Sequence, residues 1–319
     1  MGTVAKVVIA GGTGFVGRHV VTALQGRGAR VVVVGRSPDA ARARLGVEAV
    51  GWRDASGLAA AVTGAAAVLS FVGEPVLGRW TRRKKAAIRA SRVETTRALV
   101  AAMASAPAGA RPAVFVSASA VGYYGLRAGR EDAPVDETAP PGDDPLARIC
   151  VAWEAAADEA RALGVRVVRL RLGVVLGDGG FVAQVRPVAR LGLFGPLGSG
   201  RQGFPWVSVE DVCGVVLRTL DDPDMDGAVN VTGPALCDQR RVVRAIGATL
   251  GRPTFLRVPA VAVRALFGEG ANVALADTWV RPVRLERARH PFVHPTPEAA
   301  VAAALGRGRA PLSAGEPER

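Results

Sequence analysis

Apolar residues fall along the first half of the chain in short, dense runs separated by mixed stretches. Val7–Ala10, Arg30–Gly35 with its four consecutive valines, Val47–Gly51, Ala67–Val72 and Ala113–Ser117 are largely apolar, and Val165–Leu172 sets Arg166, Arg169 and Arg171 among its valines and leucines. A strand exposed on one face alternates with polar residues, so these runs predict strands covered on both faces. Helical patterns lie between them, at His19–Gln25, at Leu58–Thr63 ending in Gly64, at Lys85–Met103 and at Leu146–Leu163. The longest carries Ile88, Val93, Leu99 and Val100 at helical spacing. Strand and helix in alternation imply an α/β fold, a doubly wound parallel sheet with helices on both faces.

After Gly173 the regularity fails. Residues 177–203 are rich in glycine, including Gly192, Gly195, Gly198 and Gly200. Val207–Leu220 returns to strand-plus-helix character, and helical patterns follow at Cys237–Leu250, Pro259–Ala276 and Glu298–Leu305. The expected organisation is a first domain of residues 1–176, rejoined by 206–232, and a smaller C-terminal substrate lobe of residues 177–205 and 233–305. The polar stretch 306–319, with its glycine and proline, reads as a disordered tail. There is no internal repeat.

Composition narrows the class. In 319 residues, 49% are hydrophobic and 22% charged, enough to bury a sizeable core. No run approaches the ~18 apolar residues of a membrane span. The N-terminus enters the Val7 run without the longer apolar region of a signal peptide, so a cytoplasmic protein with no membrane partner is expected. Cys150, Cys213 and Cys237 are far apart and odd in number, which fits buried thiols better than disulfides or zinc. His290 and His294 form an HxxxH pair, but His19 is the only other histidine, so no metal site is expected.

The net charge of +13 raises the question of nucleic acid. The densest basic cluster is Arg79, Arg82, Arg83, Lys84, Lys85, Arg89 and Arg92, with Trp80 beside it but no stacking array, aromatics being 5% of the chain. All other basic residues except Lys6 are arginine, spread along the chain, so nucleic acid is not expected as a partner. A small-molecule substrate is, and the oligomeric state stays open.

Gly11-Gly12-Thr13-Gly14-Phe15-Val16-Gly17 sits between the first strand and the first helix. Glycines there permit the turn, the approach of a pyrophosphate to the backbone and close helix–strand packing, while the helix N-terminus offers N–H groups to phosphate. This is the dinucleotide fingerprint of a Rossmann-type sheet. The second strand ends Val34-Gly35-Arg36-Ser37 with no acid until Asp39. A carboxylate there would accept from the ribose hydroxyls of NAD; a guanidinium and a hydroxyl suit the extra phosphate of NADP(H) instead. NADP(H) is therefore the expected cofactor.

With these residues the chain resembles the extended or atypical short-chain dehydrogenases/reductases. More narrowly it is similar to their epimerase-like branch of NADP-dependent oxidoreductases and sugar-nucleotide epimerases. The resemblance runs from Val7 to about Leu305. It rests on Gly11–Gly17, Phe71-Val72-Gly73-Glu74-Pro75, Arg79-Trp80, Ser91-Arg92-Val93-Glu94-Thr95-Thr96-Arg97 and Ser117 through Gly125. Trp153-Glu154, Arg171 through Gly177, Gly198-Ser199-Gly200-Arg201-Gln202 and Trp206 through Asp211 extend it. Arg252-Pro253, Val258-Pro259-Ala260 and Arg281-Pro282 resemble the branch's appended C-terminal domain, from which His290-Pro291-Phe292 departs. The resemblance implies that Phe71, Val72 and Gly73 line the adenosine side, that Arg92 faces the cofactor and that Arg171 lies near the pyrophosphate. Trp52 stands where relatives often have an adenine-contacting aspartate.

The family's catalytic tyrosine and lysine are absent. If Glu154 keeps the register, Leu146 and Cys150 take their places, and neither can perform that proton chemistry. Ser119 matches the family's active-site serine, and Tyr123 and Tyr124, the only tyrosines, are the candidate general acids. Arg201 and Gln202, in a glycine-rich flap, are candidate donors to an acidic or hydroxylated substrate. The implied function is an NADP(H)-dependent oxidoreductase acting on a small carbonyl or hydroxyl compound. A non-catalytic NADP(H)-binding sensor or assembly partner, and a sugar-nucleotide epimerase, are the alternatives.

Overall fold

The computed structural model describes residues 5–306. The first half alternates β1 (Lys6–Ala10), α1 (Phe15–Gly26), β2 (Arg30–Gly35), α2 (Pro38–Leu45), β3 (Glu48–Gly51), α3 (Ala55–Val62), β4 (Ala67–Ser70), α4 (Arg82–Ser105) and β5 (Val114–Ala120). The short β6 (Arg127–Ala128) precedes α5 (Pro145–Asp158) and β7 (Arg166–Leu172). Next come β8 (Val174–Leu176), α6 (Gly180–Arg190), β9 (Trp206–Ser208), α7 (Val209–Asp221) and β10 (Gly227–Val231). The remainder is α8 (Gln239–Leu250), α9 (Ala260–Phe267), α10 (Ala271–Ala274), β11 (Asp277–Thr278), α11 (Val283–Arg287) and α12 (Pro297–Ala304).

Seven strands form one sheet in the order β10-β7-β5-β4-β1-β2-β3, every pair parallel. Alternate residues of each strand enter opposite cores, which is why the runs are largely apolar. Val7, Ile9, Val31, Val33, Leu69 and Val116 pack toward α1 and α7. Val8, Ala10, Val32, Val34, Val68 and Phe115 pack toward α3 and α4. The chain reverses its direction across the sheet between β1 and β4, and the crevice at the carboxyl ends of those strands is where such sheets take ligands. A third core joins β8 and β9 to α6, α8 and α12 through Leu176, Val182, Trp206, Val242, Ile246 and Val301.

The structure departs from the sequence reading in several elements, the short β6, β8 and β11 and helix α11 among them. Helix α2 escaped notice because only Ala41 of its eight residues is buried; Pro38 starts it and Gly46, at φ 63°, ends it. Helix α6 occupies part of the stretch where regularity was expected to fail, beginning at Gly179-Gly180. Strand β10 was not foreseen because Asn230 interrupts its apolar run, although that side chain is fully buried. The expected helices at Leu146–Leu163 and Pro259–Ala276 end or break earlier, at Asp158 and Phe267, and pass into 3-10 turns. No helix among the described residues is long and apolar enough to cross a membrane. Residues 307–319 of the expected tail lie outside those described.

Candidate functional site

The glycine loop leaves β1 through Gly11, at φ 79°, where any side chain is strained. A Cβ on Gly11 would also lie 2.9 Å from the Phe71 carbonyl, so loop and β4 terminus touch backbone to backbone. A Cβ on Gly17 would strike the Gly11 carbonyl and approach Gly12 Cα to 2.8 Å. Helix α1 therefore sits hard against the turn. Its N-cap is Gly14, with no side chain satisfying the first N–H groups and no acid in the first turn. Thr13, Phe15 and Val16 complete this anion-receptive end. The backbone after β8 packs on the Phe15 ring, because side chains at Gly177, Gly179 or Gly180 would run into it.

Arg36 and Ser37 follow β2 at the surface. Ser37 is the N-cap of α2, yet its hydroxyl caps nothing. Arg36 lines a cleft of about 760 Å³ with Arg42, Arg53, Trp52 and Asp39. Asp39 is bonded to Arg42 at 2.5 Å, so its carboxylate already has a cationic partner. The arginine content of this cleft exceeds what the Arg36-Ser37 pair alone indicated, and Trp52 supplies a flat wall. On the far side, Phe71, Val72 and Gly73 follow β4, and Arg92 of α4 lies over Gly73. Arg92 donates to the carbonyls of Glu74 and Ile88, both at 3.0 Å, and stacks on Trp153 at 5.1 Å. Burial lowers its pKa below the ordinary guanidinium value.

The candidate catalytic residues meet in a buried polar network at the end of β5. Ser119 donates to Glu154 Oε1 at 2.7 Å. Arg171 forks onto the same carboxylate, Nε to Oε1 and Nη2 to Oε2, each at 2.9 Å. It also donates to the Tyr124 hydroxyl at 2.9 Å and lays its guanidinium 3.4 Å from the centre of the Tyr123 ring. Tyr124 in turn donates to Asn230 Oδ1 at 2.7 Å. Burial pushes its pKa up to about 12, which keeps this phenol neutral and committed. Tyr123 is half-buried, edge-on to Tyr124, and none of these hydrogen bonds engages its hydroxyl.

This geometry alters the picture drawn from the sequence. Arg171, expected near the pyrophosphate, is buried and bonded to Glu154 and Tyr124. Glu154, a signature of the resemblance that was given no role beyond setting the register, is the centre of the network. The vacated dyad is filled by packing: a Cβ on Gly122 would meet Leu146 Cδ2 at 2.8 Å and Cys150 Sγ at 3.7 Å. Burial pushes the Cys150 thiol up to about 12, so it stays protonated and uncharged at neutral pH and cannot take over the lysine's role.

The glycine-rich segment is tied down rather than free. Leu197 N donates to Gln239 Oε1, Gly198 N to the Val258 carbonyl, and Gly203 N to Asp277 Oδ1. Gln202 is buried and spends its amide on Leu197 and Ser199. Arg201 is exposed and lines a cleft of about 690 Å³ with Arg240, Arg244 and Trp279. Among the described residues no hydrogen bond or ion pair joins it to the Tyr123 network. Among the described residues no group of His, Cys, Asp and Glu is arranged to hold a metal.

The fold and these residues can be set beside known proteins. The model of the NAD dependent epimerase/dehydratase family matches residues 7–232, and that of a domain of unknown function, DUF1731, matches 258–304. The Epimerase family protein SDR39U1 homolog, chloroplastic, of Arabidopsis thaliana is 38% identical over 287 residues, 87% of this chain and 80% of its own length. Epimerase family protein Mb2239 of Mycobacterium bovis is 38% identical over 297 residues, 92% of this chain and 95% of its own. Among solved structures, human epimerase family protein SDR39U1, crystallised with NADPH, superposes with a TM-score of 0.83 at 32% identity, covering 94% of this chain and 99% of that one. The chain belongs to the NAD dependent epimerase/dehydratase family.

Proposed function

We propose that the protein is an NADP(H)-dependent oxidoreductase acting on the carbonyl or hydroxyl group of a small substrate. The observation that carries this reading is the end of β2, where no acid precedes Asp39, itself paired with Arg42, and where Arg36, Arg42 and Arg53 line one cleft, taken together with the uncapped start of α1. The human relative solved with NADPH supports the cofactor. The residues fit the group. Gly11 and Gly17 leave the space a pyrophosphate needs, the first turn of α1 supplies N–H donors, and Arg36 with Ser37 receives the 2′-phosphate. Trp52 walls the adenine side, and Phe71, Val72, Gly73 and Arg92 close the opposite wall. When bound, the nicotinamide supplies or accepts the hydride.

Tyr123 is the phenol left to move the substrate proton, because Tyr124 is held by Arg171 and Asn230. Arg171, fixed by Glu154, positions the Tyr123 ring, and Ser119 shares the same carboxylate. The Arg201 cleft receives the acidic or hydroxylated end of the substrate. Its Trp279 is bonded through its backbone N–H to Ala128, in the β6 strand that follows the Tyr123-Tyr124 turn.

Calorimetric titration should show NADPH binding at least ~10-fold tighter than NADH, about 1.4 kcal/mol, with Arg36→Asp removing the preference. Equal affinities in the unaltered protein would overturn the cofactor assignment. In a panel of carbonyl substrates followed by NADPH absorbance, Tyr123→Phe should abolish most turnover while leaving NADPH affinity within a few-fold. The packing of Leu146 and Cys150 into the dyad positions favours a second reading, a protein that binds NADP(H) without catalysis. Tight NADPH binding with no turnover across the panel, sugar nucleotides included, would support that one.

A further inference from the structure

The arginines of this chain are not all used alike. Among the described residues outside 179–209 and 239–268, eleven of 26 arginines meet a carboxylate, Arg27 with Asp221, Arg30 with Glu48, Arg161 with Asp226 and Arg281 with Glu286 among them. Residues 179–209 and 239–268 break the pattern, for they contain no aspartate, no glutamate and no lysine, yet nine arginines. Among the described residues only one of the nine, Arg241, meets a carboxylate, that of Glu298.

The fold brings these two stretches together on the C-terminal lobe. Val258 N donates to the Pro196 carbonyl at 3.0 Å, and Gly198 N returns a bond to the Val258 carbonyl at 2.8 Å. A Cβ at Gly192 would touch Pro253 at 3.6 Å, so the chain after α6 runs beside the chain after α8. Arg186 and Arg190 lie one helical turn apart on α6. Arg252 and Arg257 flank the loop into α9, and Arg264 lies on α9 itself. All five are exposed.

Between them stand large apolar side chains that project into solvent. Phe255 is 77% exposed, Val261 74%, Leu191 73% and Leu266 67%, with Leu193 and Leu256 beside them. These six are most of the exposed large hydrophobics among the described residues. Scattered single apolar residues on a surface need no explanation, but a concentration on one acid-free face does.

We propose that this face docks on an anionic lipid surface. Projecting aliphatic and aromatic side chains interleaved with guanidinium groups suit the boundary between headgroups and acyl chains, where the cations meet lipid phosphates and the apolar tips leave water. A second copy of the chain would set five unpaired arginines against five more, which opposes self-association. A nucleic acid would take the arginines but would leave the leucines and valines in water, and Phe255 is the sole exposed aromatic among the six. The sequence reading expected no membrane partner; this proposal departs from it, through a peripheral contact that leaves the fold outside the bilayer.

The test is co-sedimentation of the full chain with vesicles of phosphatidylcholine alone and of phosphatidylcholine mixed with phosphatidylserine. Binding is expected only to the anionic vesicles and should weaken as salt rises. Each of Arg186→Glu and Arg257→Glu should reduce partitioning about fivefold or more. The double variant Leu193→Ser, Phe255→Ser should reduce it at least tenfold with the unfolding temperature unchanged, since both side chains are exposed. Failure to bind anionic vesicles overturns the proposal. So does binding that ignores the Leu193 and Phe255 changes, or stronger retention by duplex DNA or RNA that those changes leave intact.

Discussion

Arg171 and Glu154 are both almost fully buried, and each is affordable there only because of the other. Burial by itself lowers the Arg171 pKa, but the fork with Glu154 and the Tyr124 oxygen overrides it and holds the guanidinium above its ordinary value. Glu154→Ala should therefore leave an uncompensated buried cation and cost about 3–5 kcal/mol, read from the urea midpoint. Glu154→Leu combined with Arg171→Met should recover most of that loss, because it leaves no buried charge unpaired and only the Ser119 hydroxyl without its acceptor. A single-variant loss below about 1 kcal/mol would mean the pair is solvated and its positioning of Tyr123 weak. A sequence signal for this pair existed. Helical spacing puts Glu154 on the same face of α5 as the buried Cys150 and Ala157. A carboxylate on such a face demands a partner, though only the tertiary packing of α5 on β7 names it.

At the scale of elements, what the sequence made legible follows from which forces were local. Strands β1, β2 and β4 announced themselves because both faces are buried, and the glycine loop because Gly11 and Gly17 tolerate nothing else. Asn230 hid β10, because a buried polar residue is explained only by its distant partners, the Tyr124 hydroxyl and the Arg281 carbonyl. The histidines flagged as an HxxxH pair have a structural setting of the same kind. Asp211, fully buried, accepts from Ser208 Oγ at 2.6 Å and from Val293 N at 2.6 Å, clamping the 290–294 segment onto α7. That clamp holds His290 near Gly214 and edge-on to Phe292, with neither ring nitrogen hydrogen-bonded. Desolvation lowers the His290 pKa, partly opposed by Asp211 and reinforced by Arg218. The unfolded chain thus binds this proton more readily than the folded one, so stability rises with pH across the window between the two pKa values. The contribution is present above the unfolded pKa, about 6.5, and is lost as pH falls below it toward the depressed folded value. Chemical denaturation from pH 7.5 to 5 should show stability falling below about pH 6.5, and His290→Phe should flatten that limb. A profile of the same slope in the variant would assign the acid sensitivity elsewhere.

Over the whole molecule, the division into a nucleotide domain and a C-terminal lobe describes topology better than mechanics. The lobe is stitched to the sheet at several separate places. Strand β11 pairs with β6, Arg284 donates to the Ala228 carbonyl of β10 at 2.7 Å, and Glu137 accepts from the backbone N–H groups of both Asn230 and Arg284. Helix α12 packs on α8 while sharing a core with Trp206 and Leu176, which lie next to the sheet in sequence and space. Losing the segment from Val258 onward would strip partners from each of these, leaving buried polar groups such as Asn230 unsatisfied and part of the third core open to water. Two independently stable units are therefore not expected. Calorimetry of the full chain should show one transition whose calorimetric and van't Hoff enthalpies agree. NADPH at about 100 times its Kd should move that whole transition upward, corresponding to roughly 2.7 kcal/mol, rather than splitting off a stabilised half. A chain ending at Arg257 should lose the cooperative transition or precipitate. If it instead melts cooperatively at the full-length temperature and still binds NADPH, the nucleotide domain is self-sufficient and the stitching through Asn230, Glu137 and Arg284 contributes orientation alone.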